Sequence, residues 1–345
     1  MSEATEATGV RLWRGGELES LHAVAASVVD GDGREVARHG DPARRAYLRS
    51  SAKPIQLLPL VEEGVAERYS LTDAELAVMS ASHNAEPVHL DAVRSVLEKA
   101  GLREEDLRCG AHEPMGPSAA EALRESGEKP TAIHNNCSGK HAGMLAVCRA
   151  MEWPLGSYLD AGHPLQRRIL ATLAELCATD PGEIGVAVDG CGAPTFSLPV
   201  TAMARAWAGL AAADARRESD RDRAIGRILD AMVSHPDLVA GTGRLDTDLL
   251  RTAGSRVIAK TGAEGVFCAA LRADGPLTAR GLALKVIDGG KRAQDVALLA
   301  FLGDLGLVDA AADSTLAVYA RPVVRNRSGE VVGGIDARLP LERIL

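Results

Sequence analysis

Leu48-Arg49-Ser50-Ser51-Ala52-Lys53-Pro54, followed by the apolar residues Ile55, Leu57, Leu58 and Leu60, decides how the rest of the chain is read. Proline is tolerated in a helix only within its first turn, so Pro54 places a helix start beside Ser50. Ser50 or Ser51 is expected to cap this helix, which runs to about Glu63. Residues three apart share one face of a helical turn, and this sets Ser50 next to Lys53. A serine hydroxyl becomes a nucleophile when a base takes its proton. A lysine amine is such a base if burial or a nearby cation keeps it neutral. Taken alone, Ser-x-x-Lys is a common spacing whose ordinary meaning is a cap followed by a solvated charge.

Two further stretches shift that balance. Ser82-His83-Asn84 reads as Ser-x-Asn in the loop after a helix, and Lys260-Thr261-Gly262 ends the apolar run Val257-Ile258-Ala259. Each has a plain alternative: loop polarity for the first, a strand end with a turn for the second. Ser-x-x-Lys, Ser-x-Asn and Lys-Thr-Gly in that order form the signature of serine β-lactamases and penicillin-binding proteins. The first two motifs are close here and the last two far apart, so the reading is shared chemistry on a diverged scaffold.

The composition suits a large catalytic unit and little else. The chain has 345 residues, 46% apolar and 25% charged, with a formal charge of −8 spread along its length. No basic patch suggests nucleic acid or an anionic membrane, and 3% aromatic content offers no stacking platform. Residues 1–9 are polar and acidic, unlike a signal peptide, and are expected to be disordered. No apolar run is long enough to span a membrane, so a cytoplasmic enzyme is expected. The six cysteines are scattered, which argues against a disulfide framework. Cys148 and Cys177 fall in apolar helical pattern, whereas Cys137 and Cys191 lie in glycine-containing polar loops.

Around these motifs the pattern gives strands near both ends and helices between. The strands read as His22 to Asp30, Arg34 to Arg38, Val257 to Thr261, Val266 to Arg272, Leu282 to Ile287, Val318 to Arg325 and Glu330 to Arg338. A shorter one covers Ile184 to Val188. Thr72-Asp73-Ala74-Glu75 is a capping box. Helices start at Pro87 and Pro164, and others cover Ala142 to Met151, Val200 to Ala213, Arg221 to Ser234 and Lys291 to Leu305. The expected class is α/β. An antiparallel sheet built from both chain ends is flanked by helices, with a helical subdomain inserted. The expected division is one catalytic domain over 10–345, its sheet part about 10–50 and 255–345 and its helical part about 51–254. His89, His163 and His235 are read as structural or solvated.

The chain resembles the rhizobial-type, class 3 L-asparaginases of the asparaginase II family. The residues that carry the resemblance are Arg49 to Lys53, Ser80 to Asn84, His134 to Met144, Asp189 to Pro194 and Lys260 to Gly262. The stretch Asn135-Asn136-Cys137-Ser138-Gly139-Lys140-His141 is the most specific part. The resemblance implies a serine β-lactamase-like fold, a homodimer, and hydrolysis of L-asparagine to aspartate and ammonia. It implies two Ser–Lys tandems, Ser50 with Lys53 and Ser82 with Lys260. It also implies zinc held by Cys137, Lys140 and Cys191. Spacing alone would make these two buried thiols and a surface lysine. Arg49 and Asp189 match residues lining the family's pocket; Asn84, Thr261 and Gly262 complete the expected substrate-binding set.

In this reading Ser50 is the nucleophile, Lys53 its base, and Ser82 and Lys260 relay protons, each lysine's charge helping to keep the other neutral. His141 and Asp189 are neighbours of the metal site rather than ligands. Two competing readings remain: a glutaminase or other small-amide serine hydrolase, and a non-catalytic penicillin-recognising relative.

Overall fold

The computed structural model describes residues 7–272, 279–310 and 315–344. The expectation of a disordered start over residues 1–9 falls mostly outside them, and Gly9 already begins a strand. Thirteen strands are described: β1 Gly9–Arg14, β2 Glu17–His22, β3 Val24–Asp30, β4 Glu35–His39, β5 Arg45–Tyr47, β6 Gly185–Val188, β7 Pro194–Pro199, β8 Val257–Gly262, β9 Val266–Leu271, β10 Arg280–Val286, β11 Val323–Arg325, β12 Val331–Arg338 and β13 Glu342–Arg343.

The expected α/β class, with antiparallel sheet drawn from both ends of the chain, is what the structure has. A six-stranded sheet runs β13-β4-β3-β10-β9-β8. β3 lies antiparallel to β10, with Val28 opposite Leu282 and Val24 opposite Val286. The two chain ends also form a second, four-stranded sheet, β11-β12-β1-β2, so the single sheet read from sequence is two. A third sheet, β5-β7-β6, joins residues 45–47 to the middle of the chain.

Side chains alternate across a strand, and the six-stranded sheet is apolar on both faces. Ala25, Val29, Ile258, Cys268, Ala270 and Ala283 face the core shared with the helical part. Val28, Ala259, Phe267, Ala269, Leu282 and Leu284 face the opposite core, under the helix Lys291–Asp304. The helix Val200–Arg216 packs across β3, β9 and β10. β8, at the sheet edge, is fully buried. It lies against the turn at 49–52 and the helix Leu245–Ala253.

Several sequence-based expectations need correction. Neither Ser50 nor Ser51 caps a helix: Arg49–Ala52 forms a 3-10 turn, and the α-helix starts at Lys53 and ends at Glu62 with no side-chain cap. Arg49 lies in the left-handed region (φ 51°), which turns the chain sharply ahead of Ser50. Lys53 is helical although it precedes proline. The helix expected from Ala142 begins at Ser138, so Lys140 and His141 lie on the helix itself. The run 318–325 splits into a short helix, Ala317–Ala320, and the three-residue β11.

The β1–β2 hairpin, β7 and the helix Leu245–Ala253 were not among the expected elements. β2 alternates around charged residues, and β7 is enclosed by prolines.

Candidate active site

The three motifs converge through the close approach of two backbones. A Cβ on Gly262 would lie 2.7 Å from the Leu48 carbonyl oxygen, so only glycine lets β8 pass this near the turn that carries Ser50. Gly139 serves the same purpose on the other side. A Cβ there would lie 2.2 Å from the carbonyl oxygen of Val78, so glycine allows the helix Ser138–Ala150 to press against the helix Asp73–Met79. These contacts bring Lys53, Ser82, Lys140 and Lys260 into one buried region.

Ser50 itself is half-buried, and its hydroxyl makes no hydrogen bond among the described residues. Lys53 is 1% exposed. Its amine donates to the Ser82 hydroxyl at 2.9 Å and to the Ala81 carbonyl. Burial pushes the Lys53 amine below the ordinary lysine value. The Cys137 thiol beside it works the other way, and Lys140 lowers it further.

Lys260 is fully buried and donates to Asp246 Oδ1 at 3.2 Å and to the Thr261 carbonyl at 3.2 Å. Burial lowers its pKa to about 8 even though Asp246 acts to raise it; Lys53 and Arg244 add to the depression. Burial also opposes the charge on Asp246, yet Lys260, Arg244 and the Thr261 N–H outweigh it and hold the carboxyl below its usual value. The hydrogen bonds therefore pair the four residues differently from the two expected tandems. Ser82 is joined to Lys53, and Lys260 is joined to Asp246.

The remaining expected binding residues occupy the rim and its supports. Arg49 donates from Nε to Asp189 Oδ1 at 2.8 Å, with Nη2 also 2.8 Å away. Asn84 donates to Glu86 and to the Thr242 carbonyl, and its Oδ1 accepts from Arg244 at 3.1 Å. Gln294 holds the β8 end by donating to Thr261 Oγ1 at 3.0 Å and to the Gly262 carbonyl at 2.8 Å. Asp246, Arg244 and Gln294 were not singled out from sequence. Asp246 sits in an ordinary amphipathic helix start, and only the fold places it under Lys260.

Cys137, Lys140 and Cys191 also come together. Lys140 is 5% exposed, not the surface lysine that spacing favours, and its amine donates to Cys191 Sγ at 3.0 Å. A hydrogen bond from Cys191 holds the Cys137 thiol well below its ordinary pKa against the effect of burial, and Lys53 and Lys140 reinforce it. That same bond, with burial, pushes Cys191 up. Burial opposes the Lys140 charge, but the two sulfurs outweigh it and raise the amine.

Among the described residues no group of three His, Cys, Asp or Glu side chains could hold a metal. A metal here would take the amine as its third ligand. Two sulfurs and an amine in a buried site are donors that suit zinc once the lysine is neutral. His141 is bonded to the Tyr158 hydroxyl at 2.7 Å. His83, kept neutral by burial, accepts the Ala85 N–H at Nδ1 and donates from Nε2 to Ser138. His89 bonds the Glu86 N–H and, across the chain, the Asp237 carbonyl, and His163 bonds the Leu165 N–H and the Pro154 carbonyl.

The sequence model of L-asparaginase II matches residues 10–337. The chain belongs to the L-asparaginase II family. As a family member it is an amide hydrolase. No curated protein matches the chain.

Among solved structures it is similar to the Bacillus subtilis glutaminase YbgJ in covalent complex with 5-oxo-L-norleucine. Identity is 15%, with 82% of this chain and 88% of that one covered, at a TM-score of 0.41. A Bacillus glutaminase in 4.3 M NaCl is similar at 14% identity, 82% and 91% coverage and a TM-score of 0.39. These overlaps are loose, and family membership rests on the sequence model. Among the described residues no helix is long and apolar enough to cross a membrane.

Proposed function

We propose that this family member hydrolyses the side-chain amide of L-asparagine to L-aspartate and ammonia, with Ser50 as nucleophile. The observation that supports it most is a buried lysine, Lys53, one turn along the chain from the more open Ser50, with its amine hydrogen-bonded to the Ser82 hydroxyl. A neutral amine has two N–H groups and one lone pair. Ala81 and Ser82 take the N–H groups, which leaves the lone pair to accept the Ser50 proton as Oγ attacks the amide carbon. Ser82 and the amine of Lys53 or Lys260 then return a proton to the leaving nitrogen. The C–N bond breaks, ammonia departs, and water hydrolyses the Ser50 ester to release aspartate. Ser82 is 3% exposed, less open to substrate than Ser50.

Cys137, Lys140 and Cys191 are the proposed zinc ligands. Bound there, zinc would supply a cross-link between the helix Ser138–Ala150 and the loop after β6, and a positive charge beside the pocket. A cytoplasmic homodimer is part of the same proposal, and light scattering tests the dimer.

Ser50→Ala decides the mechanism. Ammonia release from asparagine should fall roughly a thousandfold or more. Stability should hardly change, because Ser50 caps no helix. Near-normal turnover in a folded variant would move the nucleophile to Ser82. The same assay run with glutamine sets the substrate preference, since one methylene is worth only about 1–3 kcal/mol in a pocket. Elemental analysis should find about one zinc per chain, and Cys191→Ala should lose it. Wild-type protein that never carries metal after expression in zinc-supplemented medium removes zinc from the proposal.

A further inference from the structure

Of the cations near this site, two are matched with carboxylates. Arg49 has Asp189, and Lys260 has Asp246. Arg244 is half-buried and has no carboxylate within ion-pairing distance among the described residues. Its Nη1 donates to Asn84 Oδ1 at 3.1 Å and to the Ser82 carbonyl at 3.5 Å, both neutral acceptors. It therefore lies over the residue whose hydroxyl accepts from Lys53.

The segment that presents Arg244 is held firmly. The Gly241 N–H donates to Thr247 Oγ1 at 3.0 Å, and the Thr242 N–H donates to Glu86 Oε1 at 3.0 Å. Asn84 packs so closely on Gly241 that a Cβ there would lie 2.7 Å from its side-chain amide nitrogen. A partly desolvated guanidinium with open donors, fixed beside the reacting groups, is a site for a planar anion.

We infer that Arg244 is the anchor for the substrate's α-carboxylate, with Asn84 holding the guanidinium in register. This rests on the amide-hydrolase reading, because the substrate is then an amino-acid amide whose carboxylate must be bound away from the amide carbon. Asn84 thereby acts as a positioning residue, and the loop at 241–244 carries the specificity for an acid over its neutral analogues.

The test compares wild type, Arg244→Gln and Arg244→Lys, each checked for fold by circular dichroism. Calorimetry with L-aspartate should show binding to wild type, a loss of about ten- to a hundredfold in Arg244→Gln, and an intermediate loss in Arg244→Lys. In kinetics, Arg244→Gln should raise KM for asparagine far more than it lowers kcat. It should also erase the preference for asparagine over asparaginamide, whose carboxylate is neutralised. A purely bracing role would not change that preference.

Equal aspartate binding by wild type and Arg244→Gln overturns the inference, and so does wild-type protein that binds no aspartate. Should Arg244→Gln not fold, Arg244→Lys carries the test, and an unchanged acid-to-amide preference there overturns it. Wild-type protein that binds aspartate through Arg244 but hydrolyses no amide would sink the catalytic proposal and leave this one standing.

Discussion

Lys53 and Lys260 are both buried lysines at one site, yet they meet opposite surroundings. Around Lys53 are a serine hydroxyl, a carbonyl and a thiol. Lys260 has a buried carboxylate at 3.2 Å. Burial destabilises the charge of both amines, but only Lys260 carries an aspartate counterion that resists it. In the proposed mechanism this contrast gives the two amines different tasks, with Lys53 the one that takes the proton of Ser50. Lys260 is balanced between burial and Asp246, with a pKa of about 8.

The strongest way to break this comparison is Lys53→Arg. Arginine keeps the positive charge but cannot give up its proton, so turnover should fall by about 10²- to 10⁴-fold. If Lys53→Arg stays within tenfold of wild type in the ammonia assay, Lys53 is not the base.

The next test uses pH. If neutral Lys260 joins the relay, kcat should rise roughly tenfold from pH 7 to 9, centred on the pKa of about 8. The same shift acts on stability, and its sign is fixed. The folded pKa lies below lysine's ordinary value of 10.5, so Lys260's contribution to stability is fully present above 10.5 and is lost as the pH falls from there through about 8. A rate that is flat between pH 7 and 9 would remove Lys260 from proton transfer.

Asp246→Asn should give the smallest and most telling change. Without the carboxylate, nothing opposes the burial of Lys260, and the rise in rate should move to lower pH. The stability cost should be about 1–3 kcal/mol, less than that of a stranded buried charge, because Lys260 can shed its proton. Chemical denaturation at pH 7 and the pH–rate profile measure the two effects. A shift to higher pH would show that Asp246 does not support the charge of Lys260.

Much of this was legible in the sequence, for reasons that are local. Pro54 marks the helix start, the Thr72 capping box forms as read, and the apolar runs of β8, β9 and β10 appear where expected. What was not legible depends on residues far apart in the chain. Asp246 and Arg244 stand at the start of the helix Leu245–Ala253, which was not among the expected elements. Only the packing of that helix against β8 turns them into a counterion and an unpaired cation. The hydroxyl that Lys53 reaches also depends on a contact across 29 residues, which no i, i+3 rule can supply.

The weaving of both chain ends into the same sheets bears on how the protein is made. Gly9 pairs with Arg338, and Val24 pairs with Val286. At about 5–20 residues per second, the ribosome adds Arg338 roughly 15 to 65 seconds after Gly9. Through most of that time β1 and β3 each have an open edge, with the buried faces of Val10, Leu12, Val28 and Val29 uncovered. The helical middle can collapse first on its local contacts, while the sheets close only near the end of synthesis. A nascent chain stalled before β10 should therefore hold a partly formed helical core beside an unpaired hairpin, a form suited to capture by chaperones and poorly suited to catalysis.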